Sequence, residues 1–221
     1  MSKLSGKMDD TMRKIALYGG VFDPVHAAHL AVAQAALAGA ELDAVIFLPA
    51  ASSPHKSVGP VATDAQRLAM LHAATEGEAA FSVDAWELER GGISYSVDTA
   101  AHFRTRYTKA RLFWILGADH WARLPDWKQI EELSAMVEFL VLARPGYPLE
   151  PSQWPKIRHS LVAAPELPES ASRIRQLLAS GRSIQGMVDP AVEAFILSGE
   201  AGLNYSTAVP FPPASSAAPT R

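Results

Sequence analysis

Apolar side chains cluster along the chain in short runs at residues 15–18, 45–48, 112–116 and 137–142, each rich in β-branched, leucine or aromatic residues. Runs of that length without a helical period predict strands buried on both faces, the pattern of a parallel sheet. Between them, residues 29–37, 64–74, 97–107 and 127–134 are long enough to serve as crossover helices. Strand and helix in alternation predict an α/β chain, a Rossmann-like three-layer sandwich with a parallel sheet. Beyond Arg144-Pro145-Gly146 the pattern becomes a proline-punctuated loop, a short strand near 160–163 and helices near 172–179 and 191–197. This part is expected to form a C-terminal helical extension on the same sheet, with Gly181 stopping the first of its helices.

The polar first 12 residues and the segment 206–221, rich in proline, alanine and serine, carry no period and are expected to lack fixed structure. A single domain over 13–205 remains, and 221 residues with 48% hydrophobic side chains suffice for one sizeable core. Twenty basic against 23 acidic residues give a net charge of −3, which argues against a nucleic-acid partner. Without cysteine the chain has no disulfide, thiolate metal site or cysteine nucleophile. No apolar run is long enough for a membrane span and no signal-peptide pattern opens the chain, so a cytoplasmic protein with no membrane partner is expected.

The segment Gly19-Gly20-Val21-Phe22-Asp23-Pro24-Val25-His26-Ala27-Ala28-His29-Leu30 joins the first strand to the first helix. Ligands of open α/β sheets bind at that edge. Glycines allow close backbone approach, and a helix N-terminus offers unpaired N–H groups to an anion such as phosphate. His26 and His29, three apart, would share a helix face and could both donate to phosphate oxygens. Taken alone, a glycine pair after a strand is more often only a tight turn, and metal ligation is the lesser alternative for the histidines. Neither a third imidazole nor an H-E-x-x-H glutamate accompanies them, and no metal site is assigned. The dinucleotide and P-loop glycine motifs are also unmatched.

Three later segments carry compatible chemistry. Pro54-His55-Lys56 places a cation and an imidazole in the loop after the second strand. Ser94-Tyr95-Ser96-Val97-Asp98-Thr99 opens a helix with Ser96 as a candidate N-cap, and is followed by Leu116-Gly117-Ala118-Asp119 and Asp126-Trp127-Lys128. Asp119, behind a buried strand, can accept from sugar hydroxyls, and Trp127 offers a flat face for stacking. Glu169-Ser170-Ala171-Ser172-Arg173-Ile174-Arg175 starts a helix with hydroxyls and an arginine one turn in, a second anion site or simply a cap with a surface ion pair. Trp86, Trp114, Trp121 and Trp154 read as packing residues, and His72, His102, His120 and His159 as residues without a converging partner.

Taken in order, these segments resemble the H-x-x-H nucleotidyltransferases, and within them the bacterial nicotinate-nucleotide adenylyltransferases. The resemblance spans about Lys14 to Tyr205, with Val21 and Ala171 standing where the family has hydroxyl residues and Ala28 where it has glycine. It implies transfer of the adenylyl group of ATP to nicotinate mononucleotide, giving nicotinate adenine dinucleotide and pyrophosphate in NAD biosynthesis, with Mg²⁺ entering on ATP. By resemblance, His26, His29 and Arg175 are the catalytic charge stabilisers. Gly19, Gly20, Val21, Phe22, Gly117, Asp119, Ser170 and Ser172 join them around ATP. His55, Lys56, Tyr95, Ser96 and Trp127 then hold the pyridine nucleotide. The rivals are nicotinamide-mononucleotide or phosphopantetheine adenylyltransferase activity and a non-catalytic nucleotide-binding relative. Monomer and homodimer are equally compatible with the sequence.

Overall fold

The computed structural model describes residues 13–52, 59–143, 156–163, 165, 168–199, 203 and 205. Six strands, β1 (Lys14–Gly20), β2 (Ala44–Pro49), β3 (Phe81–Val83), β4 (Arg111–Gly117), β5 (Glu138–Leu142) and β6 (His159–Val162), form one sheet in the order β3-β2-β1-β4-β5-β6. Every neighbouring pair is parallel. The helices are α1 (Ala27–Gly39), α2 (Asp64–Thr75), α3 (Trp86–Arg90), α4 (Ser96–Arg106), α5 (Ala118–Trp121), α6 (Ile130–Met136), α7 (Ala171–Ala179) and α8 (Pro190–Leu197).

Because side chains alternate across a strand, the apolar runs feed two separate cores. Ala16, Val45, Phe47, Phe113, Ile115, Leu140 and Leu142 face one layer, with Ala33, Met70, Leu71, Ile174 and Val192 from α1, α2, α7 and α8. Ile15, Leu17, Ile46, Leu48, Trp114, Leu116 and Phe139 face the other, with Val97, Phe103, Trp121 and Leu133 from α4, α5 and α6. The expected sandwich is therefore present, and the C-terminal helices complete the first layer. Among the described residues no helix is long and apolar enough to cross a membrane.

Local chemistry sets the helix ends. Thr63 and Gln66 cap α2 reciprocally, with Gln66 N–H donating to Thr63 Oγ1 at 3.3 Å and Thr63 N–H to Gln66 Oε1 at 2.7 Å. Gly181, with φ +65°, ends α7 as expected: its N–H donates to the Leu178 carbonyl and that of Arg182 to the Leu177 carbonyl. Asp189 caps α8 ahead of Pro190. Three elements were not expected: the three-residue edge strand β3 and the short helices α3 and α5. Helix α6 also begins later than the sequence pattern suggests, after a 3₁₀ turn at Leu124–Asp126 and a left-handed Gln129.

Candidate active site

The chain leaves β1 toward β2 and β3 on one side, and the sheet continues through β4 on the other. Reversal of strand order between β1 and β4 opens a crevice beyond their C-terminal ends. A cavity of about 500 Å³ lies there, lined by Tyr18, Gly19, Gly20 and Val21 from β1 and its loop, Ala50 after β2, and Trp114 to Gly117 of β4. His29, Glu87, Ser94, Ser96, Asp119, His120, Arg123 and Trp127 close the remaining sides. Its volume falls in the range of about 300–1,000 Å³ usual for small-molecule sites.

The glycine pair is neither a tight turn nor merely an open approach for a ligand. Both residues are still in β1, and a Cβ on Gly20 would lie 2.8 Å from the Phe22 ring, one on Gly19 3.3 Å from the Trp114 ring. Missing side chains make room for two aromatic rings as well as for whatever occupies the cavity. Phe22 takes φ +51°, in the left-handed region, which folds its ring back beneath Gly20 and against His29, with centroids 4.9 Å apart.

The two histidines meet, though not as the helical spacing suggests. His26 is the N-cap of α1, with extended backbone at φ −145° and ψ 171°, and only His29 is helical. Their rings stack at 3.7 Å with a 31° tilt, and the His26 backbone N–H donates to His29 Nδ1 at 3.2 Å. With Nδ1 an acceptor, a neutral His29 carries its proton on Nε2, so that nitrogen is a donor. His29 lines the cavity, whereas His26 is 7% exposed and stacks behind it.

Asp23 is buried between four chain segments. Its carboxylate accepts from the N–H groups of Val61 and Ala62 at 2.7 and 3.1 Å and from the Tyr205 hydroxyl at 2.8 Å. Burial, and then the neighbouring Asp23 charge, push the Tyr205 hydroxyl well above the ordinary tyrosine range, so it stays a donor. Arg175 donates to the Asp23 carbonyl and, at 3.3 Å, to Ser172 Oγ. Its guanidinium thus stands against the loop that leads to His26, not among the residues lining the cavity. Ser170 caps α7, accepting from the Arg173 N–H at 3.2 Å.

Asp119 and Trp127 also line the cavity, together with Gly117. Trp127 presents its ring edge-on to Trp114 at 6.3 Å and to His120 at 6.2 Å. Ser96 also lines it, but the N-cap of α4 is Tyr95 and Ser96 is the first helical residue. Tyr95 lies outside the lining, its ring under Lys128 Nζ at 4.1 Å. His55 and Lys56, with Trp154, lie outside the described residues.

Sequence reasoning missed Glu87, His120, Arg123 and the cavity-side role of Trp114. Glu87 is buried on the short helix α3 and accepts from Thr99 Oγ1 at 2.6 Å; burial raises its carboxyl above the ordinary 4.5, with the Thr99 and Ser94 hydroxyls opposing the shift. Its sequence context, Trp-Glu-Leu-Glu-Arg, looks like any charged surface turn. His120 has converging partners after all, with Nε2 3.9 Å from Asp119 Oδ2. The packing reading holds for Trp121, which is buried beside His159 with centroids 4.6 Å apart. Among the described residues, no three histidine or acidic side chains are grouped to hold a metal ion.

The sequence profile of the cytidylyltransferase-like family matches residues 17–177, from within β1 into α7. The chain belongs to the cytidylyltransferase-like family. Within it, a protein of Halalkalibacterium halodurans named probable nicotinate-nucleotide adenylyltransferase is 39% identical over 84% of this chain and 89% of its own. A Thermus thermophilus protein of the same name is 39% identical over 83% of this chain and 96% of its own. A solved structure of Plasmodium falciparum nicotinic acid mononucleotide adenylyltransferase superposes with a TM-score of 0.72 at 17% identity, covering 87% of this chain and 98% of that one. That likeness concerns the fold.

Proposed function

We propose that this protein transfers the adenylyl group of ATP to nicotinate mononucleotide, forming nicotinate adenine dinucleotide and pyrophosphate in NAD biosynthesis, in the cytoplasm. The observation that carries the reading is the cavity at the β1–β4 switch point, whose lining brings together His29, a sugar-compatible carboxylate, Asp119, and a ring-stacking surface, Trp127. Relatives named for this reaction, matched along more than four-fifths of the chain, support it.

The chemistry asks little covalent work of the protein. The mononucleotide's 5′-phosphate is already ionised at neutral pH and attacks the α-phosphorus of ATP, while the bond to pyrophosphate breaks. The chain has to align the two phosphates and offset the charge that builds between them. In this reading His29 Nε2–H donates to the reacting phosphate, and His26, stacked against it, supplies the second imidazole. Arg175 steadies the loop from behind and offers positive charge, with Ser170 and Ser172 at the start of α7. Asp119 accepts from adenosine ribose hydroxyls beside Gly117. Trp127 stacks on the pyridine ring near Ser96 and Tyr95, and His55 and Lys56 meet the mononucleotide phosphate. ATP enters as a divalent-metal complex, Mg²⁺ in this proposal, with the metal held by the substrate's phosphates and water.

Incubation with MgATP and either nicotinate or nicotinamide mononucleotide, followed by product mass, tests the proposal. Nicotinate adenine dinucleotide and pyrophosphate are expected, with the acid preferred. Product from the amide alone, or ATP binding without pyrophosphate release, would overturn it.

A further inference from the structure

The buried residues of α2 are Arg67, Met70, Leu71, Ala74 and Thr75, at the i, i+3, i+4, i+7, i+8 spacing of an apolar stripe. Arg67 occupies the first position of that stripe, where a leucine would serve packing, and is 0% exposed. A guanidinium taken out of water is costly unless its donors are satisfied. One partner is Asp64, whose Oδ1 lies 2.6 Å from Nη2 but whose side chain is 55% exposed. Its other partners are more telling. Nη1 donates to the Val21 carbonyl and to the Ala50 carbonyl, each at 2.8 Å.

Those two carbonyls belong to the loops that leave β1 and β2, and both residues line the cavity. The β1–β2 ladder ends at the Gly20–Pro49 pair, and the Ala50 N–H still donates to the Gly20 carbonyl at 2.8 Å. Arg67 therefore supplies a cross-link between the two loops one step beyond the last rung. We propose that Arg67 is a positioning residue for adenylyl transfer, setting the geometry of the cavity by holding the Val21 and Ala50 carbonyls on one guanidinium nitrogen. This rests on the function proposed above and assigns a residue to the control of the same site.

The physical consequence lies in the peptide planes. The Val21–Phe22 peptide is trans, so a carbonyl drawn toward α2 turns the Phe22 N–H to the opposite side. Holding Ala50 likewise fixes the start of the segment that leads, through Ala51 N–H on Ser94 Oγ at 3.1 Å, toward the α4 side of the cavity. A lysine at position 67 would keep the charge but is a point donor, without the planar fork that meets both carbonyls and Asp64 together.

The test uses R67K and R67Q in the full chain, at a temperature where circular dichroism shows each variant folded. Loss of alignment is expected to lower kcat about 10²-fold in R67Q and about tenfold in R67K, with KM for the mononucleotide changed less than about threefold. Amide hydrogen exchange on the nucleotide-free protein should quicken at residues 19–25 and 50–52 in both variants while α8 stays as in the parent chain. If R67Q does not fold, R67K carries both measurements. Folded variants that keep kcat within threefold, or that leave exchange in both loops unchanged, would overturn the proposal. A parent chain that makes no dinucleotide would refute the proposed function instead, and the exchange measurement would still judge the anchoring role.

Discussion

His29 illustrates how one side chain is fixed in place ahead of the phosphate that the proposed reaction brings to it. Its Nδ1 is occupied by the backbone of the residue that caps its own helix, and the Phe22 ring braces it from the side. The ring is thereby held before any ligand arrives, which is what electrostatic stabilisation of a reacting anion requires. Replacing His29 with alanine should lower kcat on the order of 10²-fold, measured by steady-state pyrophosphate release. In the proposed reaction Trp127 has a different part: W127A should raise KM for the pyridine mononucleotide while kcat stays within about threefold, since a stacking face acts on bound substrate and transition state alike. Glu87 tests the electrostatics of the wall. Its carboxyl is raised in the folded chain, so the folded state holds its proton more tightly than the unfolded one. The resulting stabilisation is complete below the ordinary value of 4.5 and disappears as pH rises through the folded-state value. An uncharged E87Q, still able to accept from Thr99, should therefore melt higher than the parent at pH 7.5, with the gain shrinking as the pH approaches 4.5 in calorimetry. An unchanged difference across that range would contradict the burial argument.

At the scale of elements, caps show how much is written locally. Ser170 satisfies a first-turn N–H of α7, and the helix ends on Gly181, so a few residues specify both ends. S170A should cost about 1 kcal/mol in urea unfolding, the ordinary value of a lost N-cap. The main helices and five of the six strands were legible because each has a long enough run of its own. The edge strand β3 was not, because three residues carry no period and its existence depends on pairing with Val45, Ile46 and Phe47 of β2. The histidine geometry failed differently. Spacing of three predicted a shared helix face, yet the proximity arises from a cap in extended conformation, and only the path of the chain into α1 reveals it.

Across the whole molecule, Asp23 ties together parts of the chain that local pattern cannot relate. Its partners stand 38 residues away at Val61, 152 at Arg175 and 182 at Tyr205. Y205F removes one buried donor to that carboxylate and is expected to cost about 1–2 kcal/mol in the same unfolding assay. D23A should cost more, about 3 kcal/mol or above, because the Ala62 N–H and the Tyr205 hydroxyl would be left buried, and the Val61 N–H partly buried, without their acceptor. Equal losses for the two variants would argue against the hub. Read alone, the sequence determined the strand and helix alternation, the glycine–histidine segment at the end of the first strand, and the ordered motifs that resemble a nucleotidyltransferase. Those properties depend on neighbours a few residues apart and on the two periods of strand and helix. Only the tertiary structure decided which strand ends meet at the crevice, that Arg67 and Glu87 are buried beside it, and that Arg175 faces Asp23. Such contacts join residues distant along the chain, and their energy depends on burial and on hydrogen-bond partners that exist only once the sheet has assembled.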